Sequence, residues 1–246
     1  MKKDLSFLKG LTITHRGLHD AAGGTPEDSL LAFKTAIKHH QAIEFDLQIL
    51  KDGQIIVFHD YNLKRLTGLD KAVKDCTYDE IKNLKLLNTN EKIPLLKEVL
   101  KLVNGRVVLD VEFKIGRRAG VLEQAACQLL DNYQGKFLVT SFSPLSVKWF
   151  KDHRPEFLRG QLIPNLDKSN RSVVDMVAKF LPKATFFSFL TQPDFVVTGV
   201  RSTSKKQIRS WQKKHLPIIF WTIRNNRELK FARKHGDALI YEDISV

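Results

Sequence analysis

Short apolar runs alternate with amphipathic stretches along most of this 246-residue chain. This alternation is typical of strand-and-helix units that build a largely parallel sheet. About eight of the runs are candidate core strands, namely Leu11 to His15, Ala42 to Asp46, Val107 to Phe113, Phe137 to Phe142, Leu158 to Ile163, Ala184 to Phe189, Ile218 to Ile223 and Ala238 to Tyr241. Eight strands with intervening helices fit an α/β fold, the closed (β/α)8 or TIM barrel, in which chemistry takes place at the carboxyl ends of the strands.

The stretches between these runs contain residues that commonly begin and end helices. Pro26-Glu27-Asp28 opens a helix predicted over Ser29 to His39, which has an apolar face. Similar patterns predict helices at Leu95 to Val103, Gly120 to Asn132, Leu145 to Asp152, Ser172 to Phe180, Lys205 to Lys214 and Arg227 to His235.

The length and the 43% hydrophobic content are sufficient for one large core, so we expect a single barrel domain over residues 1–246. Tyr61 to Pro94 is too long for a plain strand-to-helix loop, and Lys71 to Ile81 indicates a short strand and a helix within it. We therefore expect residues 53–94 to form a small insertion after the second barrel strand.

The net charge of +13 predicts attraction to anions, which include nucleic acid, phospholipid surfaces and phosphorylated small molecules. The basic residues are scattered and no RNA-recognition signature is present, which disfavours nucleic acid as a specific partner. Cys76 and Cys127 are isolated in sequence, which disfavours a disulfide framework or a zinc site. No run approaches the roughly 18 apolar residues of a membrane span, and the amino terminus lacks a signal segment. We expect a cytoplasmic protein without a transmembrane segment, while peripheral membrane contact and the oligomeric state stay open.

A dense group of chemically active residues lies between residues 43 and 60. Glu44 and Asp46 are two residues apart in a candidate strand, so both side chains should point to one face. Lys51-Asp52-Gly53 is typical of a hairpin turn, and counting back across it places His59 roughly opposite Asp46. A pair of carboxylates that can hold a metal ion and a histidine that can carry a proton would then be neighbours.

Other polar residues stand at the ends of candidate strands that converge on one mouth in a barrel. Glu112 would join Glu44 and Asp46 there, and three carboxylates are hard oxygen ligands that suit Mg²⁺ or Ca²⁺. Without a cysteine cluster or a pair of histidines at helical spacing, zinc is disfavoured.

Cationic and proton-carrying residues are predicted at the same mouth. Arg16 and Lys114 could hold a phosphoryl group and stabilise charge on its oxygens. His15 and His59 could act on opposite sides of one phosphorus, one removing a proton from the attacking oxygen and the other protonating the departing alkoxide. Two histidines, a metal and a cationic clamp predict phosphodiester cleavage.

A series of different short motifs extends along nearly the whole chain. In order, they are His15-Arg16-Gly17, Pro26 to Phe33, Ile43 to Asp46, Lys51-Asp52-Gly53, Val57 to Asp60, Ile93 to Leu100, Val111 to Lys114, Ser141-Phe142 and Trp221 to Ile223. The ordered set resembles the glycerophosphodiester phosphodiesterases, a (β/α)8 barrel family. A single tripeptide would be a weak signal, whereas the full set is specific.

The resemblance implies metal-dependent hydrolysis of glycerophosphodiesters to sn-glycerol 3-phosphate and an alcohol, an activity of lipid and glycerol metabolism. It assigns three sets of residues: a divalent cation site for Mg²⁺ or Ca²⁺ at Glu44, Asp46 and Glu112, an acid/base pair at His15 and His59, and phosphate contacts at Arg16 and Lys114.

Three aromatic residues at predicted strand ends, Phe142, Phe189 and Trp221, could form an apolar wall against the glycerol carbons. Of these, Trp221 belongs to the family pattern. The chain departs from that pattern at Asp28, where the family usually has Asn, and at Tyr241-Glu242, where it usually has Thr-Asp.

Several alternatives stay open from the sequence. One is a phospholipase D-like lyase acting on lysophospholipids, which would release a cyclic phosphate. Another is a non-catalytic binder of anionic polymers or membrane surfaces, and a third is a metal-dependent sugar isomerase on the same barrel. The arrangement of Arg16, Lys114 and the two histidines favours phosphate chemistry. Direct attack by water and attack through a cyclic phosphate are both compatible with it.

Overall fold

The computed structural model describes residues 3–114, 116, 118–164 and 190–246. The chain divides into two compact units. The first-half unit is Thr14–Phe137, and the second-half unit consists of Met1–Ile13 and Leu138–Val246. The predicted helix at Ser172 to Phe180 and the predicted strand at Ala184 to Phe189 lie outside the described residues.

Strands and helices alternate in the described parts of the chain. The strands are β1 (Leu11–Thr14), β2 (Ala42–Ile49), β3 (Ile55–Val57), β4 (Leu109–Phe113), β5 (Phe137–Ser141), β6 (Leu158–Ile163), β7 (Phe195–Gly199), β8 (Ile218–Ile223) and β9 (Ala238–Tyr241). The described helices are α1 (Leu30–Lys38), α2 (Lys64–Thr67), α3 (Tyr78–Ile81), α4 (Leu96–Val103), α5 (Val121–Leu130), α6 (Pro144–His153), α7 (Lys205–Lys213) and α8 (Asn226–His235).

In the first-half unit, β2 pairs in parallel with β4 and antiparallel with β3. Phe45 and Leu47 of β2 are fully buried, and the ring of Phe45 lies 5.8 Å from that of Phe33 on α1. β2 extends to Ile49, beyond its predicted end at Asp46, because its last residues pair with β3. The predicted hairpin is confirmed: the Leu50 amide donates to the Gln54 carbonyl across a turn in which Gly53 has a φ of 83°.

The predicted insertion has a small apolar core of its own, to which Leu63, Leu66, Val73 and Ile81 contribute. The predicted short strand within Lys71 to Ile81 is wrong. Ala72 forms only an isolated bridge with Asn62, and the chain then turns into a 3-10 helix at Val73–Asp75. The predicted helix is present as α3. That the insertion and barrel form one domain over residues 1–246 stays a prediction.

In the second-half unit, β5 to β9 pair in parallel, each with the next along the chain. β6, β8 and β9 have the bounds predicted from the sequence. β7 was not predicted, although it lies between β6 and β8. Its five residues are all buried, but the prediction assigned the strand between β6 and β8 to Ala184 to Phe189 instead.

Candidate active site

Three buried carboxylates meet in the first-half unit. Glu44 and Asp46 are two residues apart on β2, so their side chains point to the same face of the strand. The parallel register places Asp46 beside Glu112 of β4. One carboxylate oxygen from each of the three residues lies within 4.8 Å of the others. The predicted grouping of these three residues is therefore present in the structure.

The three carboxyl groups differ in pKa because their surroundings differ. Burial, together with the charges of Asp46 and Glu112, raises the pKa of Glu44 well above its ordinary value. Burial also raises the pKa of Glu112, although Lys114 opposes this effect. Burial alone would raise the pKa of Asp46 as well, but the positive charges of Lys114, His59 and Arg16 outweigh it and lower that pKa. Asp46 thus stays ionised, while the other two can hold protons.

Two cations lie against the carboxylates. The Lys114 Nζ is 3.0 Å from Asp46 Oδ1 and 3.1 Å from Glu112 Oε1. The Arg16 Nε is 3.6 Å from Asp46 Oδ2, and the Arg16 backbone amide donates to Glu44 Oε2 at 2.9 Å. Burial would lower the pKa of Lys114, but the charges of Asp46 and Glu112 raise it above its ordinary value, so the ammonium stays protonated.

The two predicted histidines also lie in this unit. The His15 Nε2 is 4.0 Å from Glu44 Oε2, and His15 is buried. The register pairs Leu47 with Val57, and the Phe58 amide donates to the Asp46 carbonyl at 2.9 Å. Phe58 therefore lies opposite Asp46. His59, which was predicted at that position, is the next residue along the chain. His59 is nevertheless close enough for its charge to affect the pKa values of Asp46 and Glu112.

The main chain around His59 is held by a side chain that the sequence did not indicate. Gln48 is buried at the end of β2, and its amide nitrogen donates to the carbonyl oxygens of Phe58 and Asp60, both at 2.7 Å. These bonds flank His59 on both sides. The His59 Nδ1 lies 2.7 Å from Asp60 Oδ1, so a protonated Nδ1 donates to that carboxylate.

The carboxylate cluster fits a divalent cation. Both oxygens of Asp46 are buried and accept no hydrogen bond from the described residues, although Lys114 and Arg16 lie nearby. Ion pairs alone hold these oxygens, so a bound cation could share them with Lys114 and Arg16. Three hard oxygen donors within reach of one another suit Mg²⁺ or Ca²⁺ better than a softer metal.

An ionic network that sequence analysis missed borders the site. Arg65 of α2 forms a two-point ion pair with Glu27, with both nitrogen–oxygen distances 2.7 Å, and Glu27 Oε1 also lies 2.6 Å from Arg16 Nη1. Arg65 also pairs with Asp60, whose other partner is His59. Glu27 and Asp60 lie within motifs of the family pattern, so that pattern could have indicated them. No sequence signal distinguished Arg65.

Hydrogen bonds keep the acidic members of this network ionised. Burial would raise the pKa of Glu27, but hydrogen bonds from Arg65 and the charges of Arg16 and Arg65 lower it to about 2. Burial also opposes ionisation of Asp60, yet hydrogen bonds from His59 and Arg65 lower its pKa below the ordinary range. Glu27 and Asp60 are therefore both ionised at neutral pH.

Asp28 is the residue at which the chain departs from the family pattern. Its carboxyl is buried, and neither oxygen has a hydrogen-bond partner among the described residues. Burial and the charge of Asp46 raise its pKa well above the ordinary value, against the opposing effect of Arg16. Asp28 is thus an unpaired acid close to the site.

The predicted aromatic wall is only partly described. Phe142 and Trp221 both belong to the second-half unit, where their ring centroids lie 5.5 Å apart in an edge-on arrangement. The Trp221 Nε1 is buried without a hydrogen-bond partner among the described residues. Phe189 lies outside the described residues.

Alternating strands and helices, together with a cluster of carboxylates, cations and histidines, are features of a barrel enzyme that acts on phosphate esters. Residues 15–246 match the model of the glycerophosphoryl diester phosphodiesterase family. The chain belongs to that family, and it is therefore an enzyme of the phosphoric diester hydrolase class.

Several known proteins are similar to this chain. A glycerophosphodiester phosphodiesterase of Caldanaerobacter subterraneus is 31% identical over 166 residues, which is 63% of this chain and 67% of the relative. A solved structure of the Thermotoga maritima glycerophosphodiester phosphodiesterase is 25% identical, with a TM-score of 0.68 and 94% of each chain covered. An Oleispira antarctica phosphodiesterase, solved with the product sn-glycerol-3-phosphate, has a TM-score of 0.77 at 19% identity and covers 96% of this chain and 94% of its own. The predicted (β/α)8 barrel fold is confirmed.

Among the described residues, no helix has the length and apolar character needed to cross a membrane.

Proposed function

We propose that the chain hydrolyses glycerophosphodiesters to sn-glycerol 3-phosphate and an alcohol with a divalent cation held by Glu44, Asp46 and Glu112. The observation that carries this proposal is the meeting of those three buried carboxylates within 4.8 Å, with Lys114 bound against two of them. Family membership supports the substrate class, and a solved neighbour contains the corresponding product.

The cation, when bound, would supply a Lewis acid that polarises a phosphoryl oxygen. Arg16 and Lys114 bring positive charge to the same place, where they bind the phosphate and stabilise the negative charge that grows on its oxygens during attack. Because carboxylates already hold Arg16 and Lys114 in place before the substrate arrives, these two side chains need to move little when the phosphate binds.

The two histidines move protons. One takes the proton from the attacking oxygen, and the other gives a proton to the alkoxide as the phosphorus–oxygen bond breaks. With Nδ1 bonded to Asp60, His59 presents Nε2 for this transfer. Attack by water yields glycerol 3-phosphate directly, whereas attack by the neighbouring glycerol hydroxyl would yield a cyclic phosphate first.

Further parts of the proposal concern the substrate and its setting. Phe142, Phe189 and Trp221 would contact the glycerol carbons, and the whole chain would act as one barrel domain with a small-molecule substrate. Either Mg²⁺ or Ca²⁺ fits the oxygen ligands. We further propose that this activity is cytoplasmic.

A substrate panel tests the proposal. Purified protein is incubated with glycerophosphocholine, glycerophosphoethanolamine or glycerophosphoglycerol, with EDTA or with added Mg²⁺ or Ca²⁺, and glycerol 3-phosphate is measured enzymatically. We expect release that EDTA abolishes and that a cation restores. His15→Asn, His59→Asn and Glu112→Gln should lower kcat by at least about 100-fold, while Asp79→Asn on the exposed surface should not.

The absence of glycerol 3-phosphate with every substrate and cation would refute the proposal, as would full activity in EDTA. Accumulation of a cyclic phosphate from lysophospholipids, without glycerol 3-phosphate release from the panel, would favour the lyase instead. Phosphorus NMR of the reaction mixture distinguishes these products.

A further inference from the structure

Arg65 occupies an unusual position in the ionic network beside the site. Its Nε is 2.5 Å from Asp60 Oδ2, and its Nη2 is 3.1 Å from Asp60 Oδ1. The same guanidinium also binds both carboxylate oxygens of Glu27. One side chain therefore joins two carboxylates that are distant in sequence.

Each of these carboxylates has a partner in the proposed active site. Asp60 accepts from His59 Nδ1 at 2.7 Å, and Glu27 binds Arg16 at 2.6 Å. Arg65 thus connects a residue that moves protons to a residue that holds phosphate.

The fold of the insertion holds Arg65 between Asp60 and Glu27. α2 has only four residues, but Leu63 and Leu66 on either side of Arg65 are buried in the core of the insertion. Burial of these two leucines restricts the backbone of Arg65, even though its side chain is half-exposed. The planar guanidinium fork suits two-point binding of carboxylates, which a lysine ammonium does not reproduce.

We infer that Arg65 is a positioning residue that orients His59 through Asp60 and Arg16 through Glu27. This inference rests on the proposed function and adds a role for the insertion in it. A carboxylate that accepts from Nδ1 fixes the histidine in the tautomer whose Nε2 can accept a proton, and its own position must be fixed for this to work.

Kinetics of variants give the first test. Arg65→Met keeps most of the stem and removes the charge, and we expect kcat to fall by about tenfold to a hundredfold because His59 is no longer held. KM should rise because Arg16 is loosened. Arg65→Lys should recover only part of the loss. Lys64→Met is the matched control, since Lys64 is the adjacent residue of the helix and pairs with the exposed Asp70.

Nitrogen-15 NMR of the histidine rings gives a second test that needs no substrate and no activity. In the wild-type protein at a pH where His59 is neutral, we expect the proton on Nδ1. Arg65→Met and Asp60→Asn should both shift the population towards the Nε2-protonated tautomer, and Glu27→Gln should not. His59→Asn identifies the resonance, and circular dichroism verifies that each variant is folded.

The two tests fail in distinguishable ways. If the wild-type protein released no glycerol 3-phosphate, the proposed function would fall, and the tautomer measurement would still decide the orientation of His59. If Arg65→Met matched Lys64→Met in kcat and left the tautomer unchanged, Arg65 would be an ordinary surface ion pair and the inference would be wrong. A loss of kcat with an unchanged tautomer would equally overturn the link through Asp60.

Discussion

Replacing Asp28 by Asn should stabilise the protein at neutral pH. The change preserves size and shape and converts a carboxylate into an amide. The residue has a φ of 55°, a left-handed conformation that Asn adopts as readily as Asp, so no backbone strain is added. The Asp28 backbone amide, which donates to the Arg16 carbonyl at 3.0 Å, is unaffected.

The magnitude follows from burial and from the lack of partners. Asp28 is 1% exposed, and neither of its oxygens has a hydrogen-bond partner among the described residues. The Asn amide would lack the same partners, so the gain is the extra cost of burying a charged group in place of a neutral one, which we take as about 1–3 kcal/mol. For a chain of this size each kcal/mol corresponds to roughly 2–4 °C in Tm, so we expect Asp28→Asn to raise Tm by about 2–12 °C.

The gain should depend on pH in a defined direction. Burial and the charge of Asp46 raise the pKa of Asp28 in the folded protein above its value in the unfolded chain. Between these two pKa values the folded state binds more protons than the unfolded state, so stability falls as pH rises. The advantage of Asn should therefore be small near pH 4 and should grow as the pH rises through the folded pKa.

Differential scanning calorimetry in EDTA at a series of pH values measures this advantage. Asp79→Asn is the control, since Asp79 is 84% exposed and its substitution should leave Tm unchanged. A lower Tm for Asp28→Asn at pH 7.5, or a gain that is the same at every pH, would refute the view that Asp28 is an unpaired buried acid.

Three further predictions concern the carboxylate cluster and the layer behind it. Adding Mg²⁺ or Ca²⁺ at about 100 times its Kd should stabilise the fold by about 2.7 kcal/mol, and Asp46→Asn should abolish the Tm shift. Because the pKa values of Glu44 and Glu112 are raised, cation binding should displace protons and strengthen as pH rises, which calorimetry in buffers of different ionisation enthalpy detects. Phe45→Ala should lower the free energy of unfolding by about 3–5 kcal/mol, measured by urea denaturation, because it empties a fully buried site behind Glu44 and Asp46.

Opposite outcomes would contradict these predictions. A Tm that does not respond to either cation, or that still responds in Asp46→Asn, would remove the cation from this cluster. Binding without proton release would mean that Glu44 and Glu112 are already ionised in the metal-free protein. A loss below about 1 kcal/mol for Phe45→Ala would mean that the surrounding side chains collapse into the space.

Much of the candidate site could be predicted because it depends on local periodicity. Alternation along a strand places Glu44 and Asp46 on one face, and an Asp-Gly turn brings the following strand back beside them. The predicted register between β2 and β3 was wrong by one residue, because counting across a turn does not determine which residues pair. β7 was missed for a related reason: this short run becomes a strand because it pairs with β6 and β8, and that pairing cannot be recognised from the run itself.

The sequence by itself determined the family, the barrel fold and the residues proposed for metal, phosphate and proton transfer, since these are carried by motifs of a few adjacent residues. Only the tertiary structure decided that Arg65 joins Asp60 to Glu27, that Gln48 holds the backbone on both sides of His59, and that the Asp28 carboxyl has no hydrogen-bond partner among the described residues. Such relations depend on distances between side chains from separate elements. The spacing of residues along the chain does not predict these contacts, because packing and hydrogen bonding form them only when the chain folds.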